Sequence, residues 1–202
     1  MPTYPDSHDP DARQRLRRSL QAARRRLEPC QRHRATERAL ARLCRLPAFV
    51  RARSVAVYRG VGGEIDPAPL ADADPRRQYF APVVRNRMLV FRPWQAPIWR
   101  ANRFGIPEPV GTDYPARAMD LVLTPLVGFD PAGNRLGMGG GFYDRSFAFL
   151  RDRCWRRPRL VGLAFDVQQV DALTAADWDV PLDAIVTESG VIRPKPAPAG
   201  IG

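Results

Sequence analysis

The apolar positions of this chain follow two rhythms. Over residues 11–27, Leu16, Leu20, Ala23 and Leu27 recur at helical spacing with arginines on the other faces, which predicts an amphipathic helix. Pro29 interrupts that pattern, and Ala35, Ala39, Leu40 and Leu43 carry a second helix over about 32–44. From residue 54 the rhythm changes to short continuous apolar runs. SVAVYRG (54–60), QYFAPVV (78–84), RMLVFRPW (87–94), LVLTPLVGF (121–129), RLVGLAF (159–165) and DAIVT (183–187) read as strands. Asp66 and Pro67 suit the N-cap and first position of a short helix. A longer helix is expected over 142–153, while the proline-containing residues 95–119 show no period and are expected to be irregular.

Strands alternating with helices predict a single-domain α/β fold with a mostly parallel central sheet flanked by helices. Residues 11–192 form the expected domain, after a disordered lead (1–10) and before a proline-rich tail (193–202). In such sheets ligands bind beyond the carboxyl ends of the strands. The loops after 54–59, 121–125 and 159–165 are therefore the candidates.

Composition narrows the chemistry. No apolar run approaches the ~20 residues of a membrane span, and the first twenty residues hold charge but no apolar core, so no secretory signal is expected. Cys30, Cys44 and Cys154 are odd in number and lack metal-type spacing; buried or inert thiols in a reducing cytosol are expected. Net charge is +11, of which residues 1–53 carry +9. That segment leaves non-specific attraction to nucleic acid open, but no zinc-finger, RRM or KH signature accompanies it. Both histidines, His8 and His33, lie in the N-terminal segment, and the one lysine, Lys195, lies in the tail. A Ser-His-Asp triad, a histidine zinc site and a lysine Schiff base are thus excluded from the body of the chain. Catalysis is left to Asp, Glu, Arg, Tyr and backbone amides. A metal held by carboxylates and phosphate points to Mg²⁺.

One stretch concentrates such groups. After the 121–129 run and the turn residues Asp130-Pro131-Ala132-Gly133-Asn134 comes a cluster, Gly137, Gly139, Gly140 and Gly141, and then Phe142-Tyr143-Asp144-Arg145. Glycines admit close backbone approach, and a helix start offers free N–H groups to an anion. A phosphate cradle and a plain packing turn both fit three adjacent glycines. The spacing is neither the dinucleotide fingerprint, since Phe142 stands three after Gly139, nor a Walker loop, which needs a lysine.

The run GFDPAGNRLGMGGGFYDR (128–145) resembles the signature of 5-formyltetrahydrofolate cyclo-ligases, also called methenyltetrahydrofolate synthetases. RQRLR (13–17), VAVYRGVGGEID (55–66), LVGLAFDVQQV (160–170) and DWDVPLDAIVTES (177–189) resemble further family segments in order, so the likeness spans about 12–189. It implies a Rossmann-like, three-layer fold of the NagB/RpiA type. It also implies ATP-dependent closure of 5-formyltetrahydrofolate to 5,10-methenyltetrahydrofolate, with ADP and phosphate released. In that reaction the γ-phosphoryl group passes to the formyl oxygen, and N10 then displaces phosphate.

The resemblance assigns roles to residues of this chain. Arg13 and Arg17, on one helix face, would grip ATP phosphates, and Arg135, Leu136, Gly137, Met138, Gly139, Gly140, Gly141, Phe142 and Tyr143 would wrap the triphosphate. Tyr143 and Arg135 would be the catalytic pair, with Tyr143 bonding the formyl or transferring phosphoryl group. Glu64 would accept from pterin N–H groups, beside a substrate wall of Arg59 and residues 138–142. Arg59 stands where the family usually has an apolar residue, and Met138 and Gly140 replace basic residues of some relatives. Asp144 would ligate Mg²⁺ together with Asp179, or with the nearby Asp177. The implied protein is a cytoplasmic monomer acting on 5-formyltetrahydrofolate, polyglutamylated or not, with neither membrane nor nucleic acid as partner. The alternatives are a non-catalytic folate- or nucleotide-binding protein, an RNA-associated paralogue, and an enzyme acting on another formylated compound.

Overall fold

Arginine-rich helices lead the chain into its sheet. The computed structural model describes residues 10–103, 105–151 and 158–194. The predicted lead and tail therefore lie, apart from Pro10, Arg193 and Pro194, outside the described residues, as does Cys154. Helix α1 (Pro10–Arg25) opens on a proline and an acid, Asp11, and closes on Arg24 and Arg25, the order that the helix dipole favours. Pro29 does not stop a helix but starts one. It occupies the first turn of α2 (Pro29–Arg45), where its missing N–H costs nothing. Pro47 repeats the device in α3 (Pro47–Arg51), a five-residue helix too short to leave a periodic signal.

The seven-stranded sheet has the order β11-β10-β9-β6-β1-β2-β3. Its strands are β1 (Ser54–Ala56), β2 (Gln78–Arg85), β3 (Met88–Pro93), β6 (Leu121–Pro125), β9 (Arg159–Leu163), β10 (Ala184–Val186) and β11 (Val191–Ile192). The five inner strands run parallel, while β3 and β11 pair antiparallel at the two edges. Alternate residues of the inner strands enter two cores. Val55, Leu121, Leu123 and Val161 face α2, α3 and α4 (Ala68–Ala73). Ala56, Val122, Leu160 and Ile185 face Phe91, Phe147 and Leu150 on the other side. Burial on both faces explains the unbroken apolar runs, and the three-layer α/β expectation is met.

Several predicted elements end earlier than expected. The 121–129 run breaks after Pro125, and Gly128–Phe129 (β7) pairs with Arg135–Leu136 (β8) in a separate hairpin. The 142–153 helix stops at Ser146 as α5 (Phe142–Ser146), followed by a 3₁₀ turn at Ala148–Arg151. The 95–119 stretch is not wholly irregular, for β4 (Trp99–Ala101) and β5 (Pro107–Pro109) form a hairpin. Its strands have three residues each, and two of the β5 residues are prolines, so no alternation reveals them. Glu108 pins the hairpin by accepting from the Val84 N–H (3.0 Å) and from Asn102 Nδ2 (2.8 Å). Asp66 acts one residue earlier than a cap: its carboxylate accepts from the Ala68 N–H at 3.0 Å, and Pro67 stands at the cap position. Cys30 and Cys44 are free and exposed, so of the expected buried or inert thiols these two are not the buried kind.

The strand order creates a switch point. From β1 the chain moves to β2 on one side, whereas from β6 it moves to β9 on the other. Diverging connections open a crevice beyond the carboxyl ends of β1 and β6.

Candidate functional site

That crevice is occupied by a cleft of about 1390 Å³, lined by Tyr58 and Arg59, which follow β1, and by Pro125 and Leu126 at the end of β6. Arg13, Arg17, Glu64, Arg135, Gly137 through Tyr143, Asp144 and Asp179 all line it too. Residues more than a hundred positions apart are thus collected in one place. Leu136 and Asp177 are the exceptions among the candidates, and Leu136 is turned into the core. Its side chain is buried with Leu20, Val127 and Val170, and its carbonyl accepts from the Val127 N–H at 2.8 Å.

The glycine run is delivered by a turn built on one carboxylate. Asp130 is buried and accepts from the Asn134 N–H (2.9 Å), Asn134 Nδ2 (2.9 Å) and the Leu173 N–H (2.8 Å). This fixes the β7–β8 hairpin and sends Gly137 toward α1. There the Arg17 Nε donates to the Gly137 carbonyl at 2.9 Å, and Gln21 Nε2 lies 3.1 Å from the Met138 sulfur. Gly139 (φ +95°) and Gly141 (φ +60°) take left-handed conformations that curl the loop. Among the described residues, the amides of residues 138–141 donate to no group of the chain. Four N–H groups without a partner in a curled loop are donors of the kind that can receive an anion. With only five residues, α5 adds little macrodipole, so the loop amides and the arginines carry the positive potential. Burial, and then the like charge of Arg13, hold the Arg17 guanidinium below its usual proton affinity.

Arg135 and Asp144 form an ion pair at the far end of the loop, and the same Asp144 oxygen accepts from the Val180 N–H at 3.2 Å. Arg135 also donates to the Val180 carbonyl. The glycine loop is thereby tied to the segment carrying Asp179, which faces Arg13 at 3.9 Å and accepts from the Ala176 N–H at 3.0 Å. Asp177 does not line the cleft; its carbonyl accepts from Arg151 at 3.1 Å. No group of three or more His, Cys, Asp or Glu that could hold a metal exists among the described residues.

The other half of the cleft is apolar and aromatic, with Ala81, Pro82, Val84, Leu89, Trp94, Trp99 and Phe142 in its walls. Within it lies Glu64, whose side chain is only 7% exposed. One Glu64 oxygen accepts from the Val61 N–H (3.2 Å), and the other faces Arg24 at 3.6 Å. Burial, countered only in part by Val61 and Arg24, raises the Glu64 proton affinity above the usual carboxylate range. Arg24, 3% exposed, also donates to the carbonyls of Gly62 (3.1 Å) and Leu126 (3.4 Å). The Tyr58 hydroxyl is buried and has no hydrogen-bond partner among the described residues. Tyr143 stacks on Phe147 with ring centroids 6.1 Å apart. Burial, then the charge of Glu64, push its phenol far above the ordinary value, against a lowering influence from Arg135. It is a neutral donor at any physiological pH.

Sequence reasoning misses Arg24, Tyr58 and the two cleft tryptophans. Arg24 carries a legible signal, since Arg13, Arg17 and Arg24 are spaced four and seven apart and share one face of α1. The abundance of outward arginines on the same helix hides it. Trp94 and Trp99 join Arg59 through tertiary contacts, and no local pattern announces that.

Comparison with known proteins identifies the family. The model of the 5-formyltetrahydrofolate cyclo-ligase family matches residues 9–188. The chain is 36% identical over 183 residues to 5-formyltetrahydrofolate cyclo-ligase of Escherichia coli, covering 85% of this chain and 98% of that one. The Haemophilus influenzae protein of that name is 34% identical over 179 residues, covering 84% and 94%. The solution structure of Aquifex aeolicus 5,10-methenyltetrahydrofolate synthetase superposes with a TM-score of 0.78 at 31% identity, over 93% of this chain and 95% of that one. A fold shared over nearly the full length, with the cleft at its switch point, leads to one conclusion: the chain belongs to the 5-formyltetrahydrofolate cyclo-ligase family.

Proposed function

We propose that this protein closes 5-formyltetrahydrofolate to 5,10-methenyltetrahydrofolate at the expense of ATP, releasing ADP and phosphate. The observation that carries the reading is the division of one cleft into a basic, amide-lined half and an apolar half holding a buried carboxylate. In the reaction the formyl oxygen bonds the γ-phosphorus as the bond to ADP breaks. The N10 lone pair then bonds the formyl carbon, phosphate leaves with the former formyl oxygen, and N10 gives up its proton. Phosphoryl transfer asks for positioning and charge stabilisation rather than a protein nucleophile. A site without histidine or lysine is sufficient for that.

Arg13, Arg17 and the amides of residues 138–141 hold the triphosphate, and Arg135 stabilises charge on the transferring group. Tyr143 donates to the formyl or phosphoryl oxygen as a neutral phenol. Glu64 accepts from the pterin N–H groups, with Arg24 keeping the carboxylate in place. The residues available for Mg²⁺ are Asp144, which accepts from the Val180 N–H, and Asp179, the neighbour of Val180 in the chain. Two carboxylates suit a hard cation that shares its shell with phosphate oxygens and water, not a closed protein cage. Mg²⁺ held there supplies neutralisation of phosphate charge. We place the protein in the cytoplasm as a monomer, with residues 11–192 as its domain; no helix among the described residues is long and apolar enough to cross a membrane. The test is the growth of methenyltetrahydrofolate absorbance on mixing the protein with 5-formyltetrahydrofolate, ATP and Mg²⁺. No growth under conditions where both substrates bind overturns the enzymatic reading in favour of a non-catalytic binder.

A further inference from the structure

The apolar half of the cleft contains one cation that its own walls do not explain. Arg59 follows β1 and lines the cleft with Trp94 and Trp99. Its guanidinium carbon lies 4.6 Å from the Trp94 ring centroid and 4.9 Å from that of Trp99. The two indoles meet edge to face, with centroids 5.0 Å apart and planes at 75°, so they form a corner. Trp94 is itself held, because its indole N–H donates to Asp72 at 2.9 Å. Among the described residues Arg59 makes no ion pair and donates no hydrogen bond.

A guanidinium seated on aromatic faces is partly desolvated and loses less side-chain freedom when it binds. Its N–H edges stay free for an in-plane acceptor, and the acceptor that matches a planar fork best is a carboxylate. The other charged groups lining the cleft already have partners. Arg13 faces Asp179, Arg17 donates to the Gly137 carbonyl, Arg135 pairs with Asp144, Arg145 and Arg151 donate to backbone carbonyls, and Glu108 accepts from Val84 and Asn102. A ligand seated in the apolar half with an aromatic body and an anionic end would place that end at Arg59.

We infer that Arg59, fixed in the corner of Trp94 and Trp99, binds a carboxylate of the glutamate moiety of the folate substrate and so selects glutamate-bearing folates. The inference rests on the reading of the apolar half as the folate half. It makes Arg59 a specificity residue acting on ground-state and transition-state binding alike, away from the reacting atoms.

The experiment compares 5-formyltetrahydrofolate with the methylamide of 5-formyltetrahydropteroic acid, which keeps the ring and the aminobenzoyl amide but carries no glutamate and no free carboxylate. Wild type, Arg59→Leu and Arg59→Lys are assayed with both, and ATP binding is measured for each to verify an intact nucleotide half. With the glutamate-bearing substrate, Arg59→Leu should lower kcat/KM about ten- to thirtyfold, through KM, as expected for the loss of one charge-assisted bond. With the glutamate-free compound the same substitution should change kcat/KM by less than about threefold, since no carboxylate partner is lost. Arg59→Lys should fall between, because an ammonium keeps charge but not the fork. Equal losses with both substrates would show that the guanidinium only shapes the wall, and no loss with either would remove it from recognition; each result overturns the inference while the cyclo-ligase reading stands. A wild-type protein that binds ATP yet converts neither compound overturns that reading, and this inference with it.

Discussion

Removing the buried cation beside Glu64 should damage the fold and the pH response together. Arg24→Met keeps the length of the side chain and deletes its charge. Glu64 would then remain 7% exposed with the Val61 N–H as its one donor, and the carbonyls of Gly62 and Leu126 would each lose a partner. Breaking a buried pair by removing one member typically costs about 3–5 kcal/mol. Against the usual range of about 5–15 kcal/mol for a folded domain, that is a large fraction. The pH dependence follows from the direction of the Glu64 shift. Its proton affinity is already raised in the folded state, so the folded protein binds this proton more tightly than the unfolded chain does. Stability therefore falls as pH rises from the unfolded value of 4.5 toward the higher folded one. Loss of Arg24 takes away a lowering influence, which widens this window upward and deepens the loss. Urea denaturation followed by circular dichroism should show a deficit at about pH 8 that shrinks by about pH 5. Arg24→Met combined with Glu64→Gln should recover most of it, since no charge is left buried. A deficit under about 1 kcal/mol, or one equal at both pH values, would refute the account.

Three further outcomes bear on the site. Tyr143→Phe should lower kcat by about 10²–10³ with little change in the KM for ATP, and wild-type pH–rate profiles should show no tyrosine ionisation up to the ordinary phenol range, because burial holds that proton far more tightly. Gly141→Ala meets both a positive φ of 60° and Arg145 Nη1 at 2.6 Å from the new Cβ, whereas Gly139→Ala meets only a positive φ of 95° with Arg17 at 3.7 Å; ATP KM should rise in both, by about tenfold for a strain of about 1–2 kcal/mol, and Gly141→Ala should also melt earlier. Asp144→Asn should raise the Mg²⁺ concentration needed for half-maximal rate and also loosen Arg135, so that excess Mg²⁺ restores activity only in part; full restoration would limit Asp144 to metal binding.

The legible parts of this protein are those with local causes. Leu121-Val122-Leu123 reads as a doubly buried strand because both of its faces meet apolar layers. The turn at Asp130 and Asn134 is written in residues that bond each other. Tyr143, Asp144 and the glycines are neighbours along the chain, so their grouping is plain from the sequence alone. The illegible parts depend on distant partners. Arg24 is polar, yet lies on the buried face of α1 because Glu64, forty residues on, receives it. The β4–β5 hairpin exists because Glu108 reaches Val84, not because its prolines favour strands. Arg59 takes its meaning from Trp94 and Trp99, which only the folded chain brings around it.

Helix α1 touches both halves of the cleft. Near its start Arg13 and Arg17 reach Asp179 and the Gly137 carbonyl, and near its end Arg24 reaches Glu64. At its middle it packs closely on β7, for a Cβ on Gly128 would lie 2.4 Å from the Leu20 Cδ1. On the proposed reading one helix serves the nucleotide and the folate alike, and thermodynamic linkage follows: whatever change in affinity ATP causes for the folate through this helix, the folate causes for ATP by the same factor.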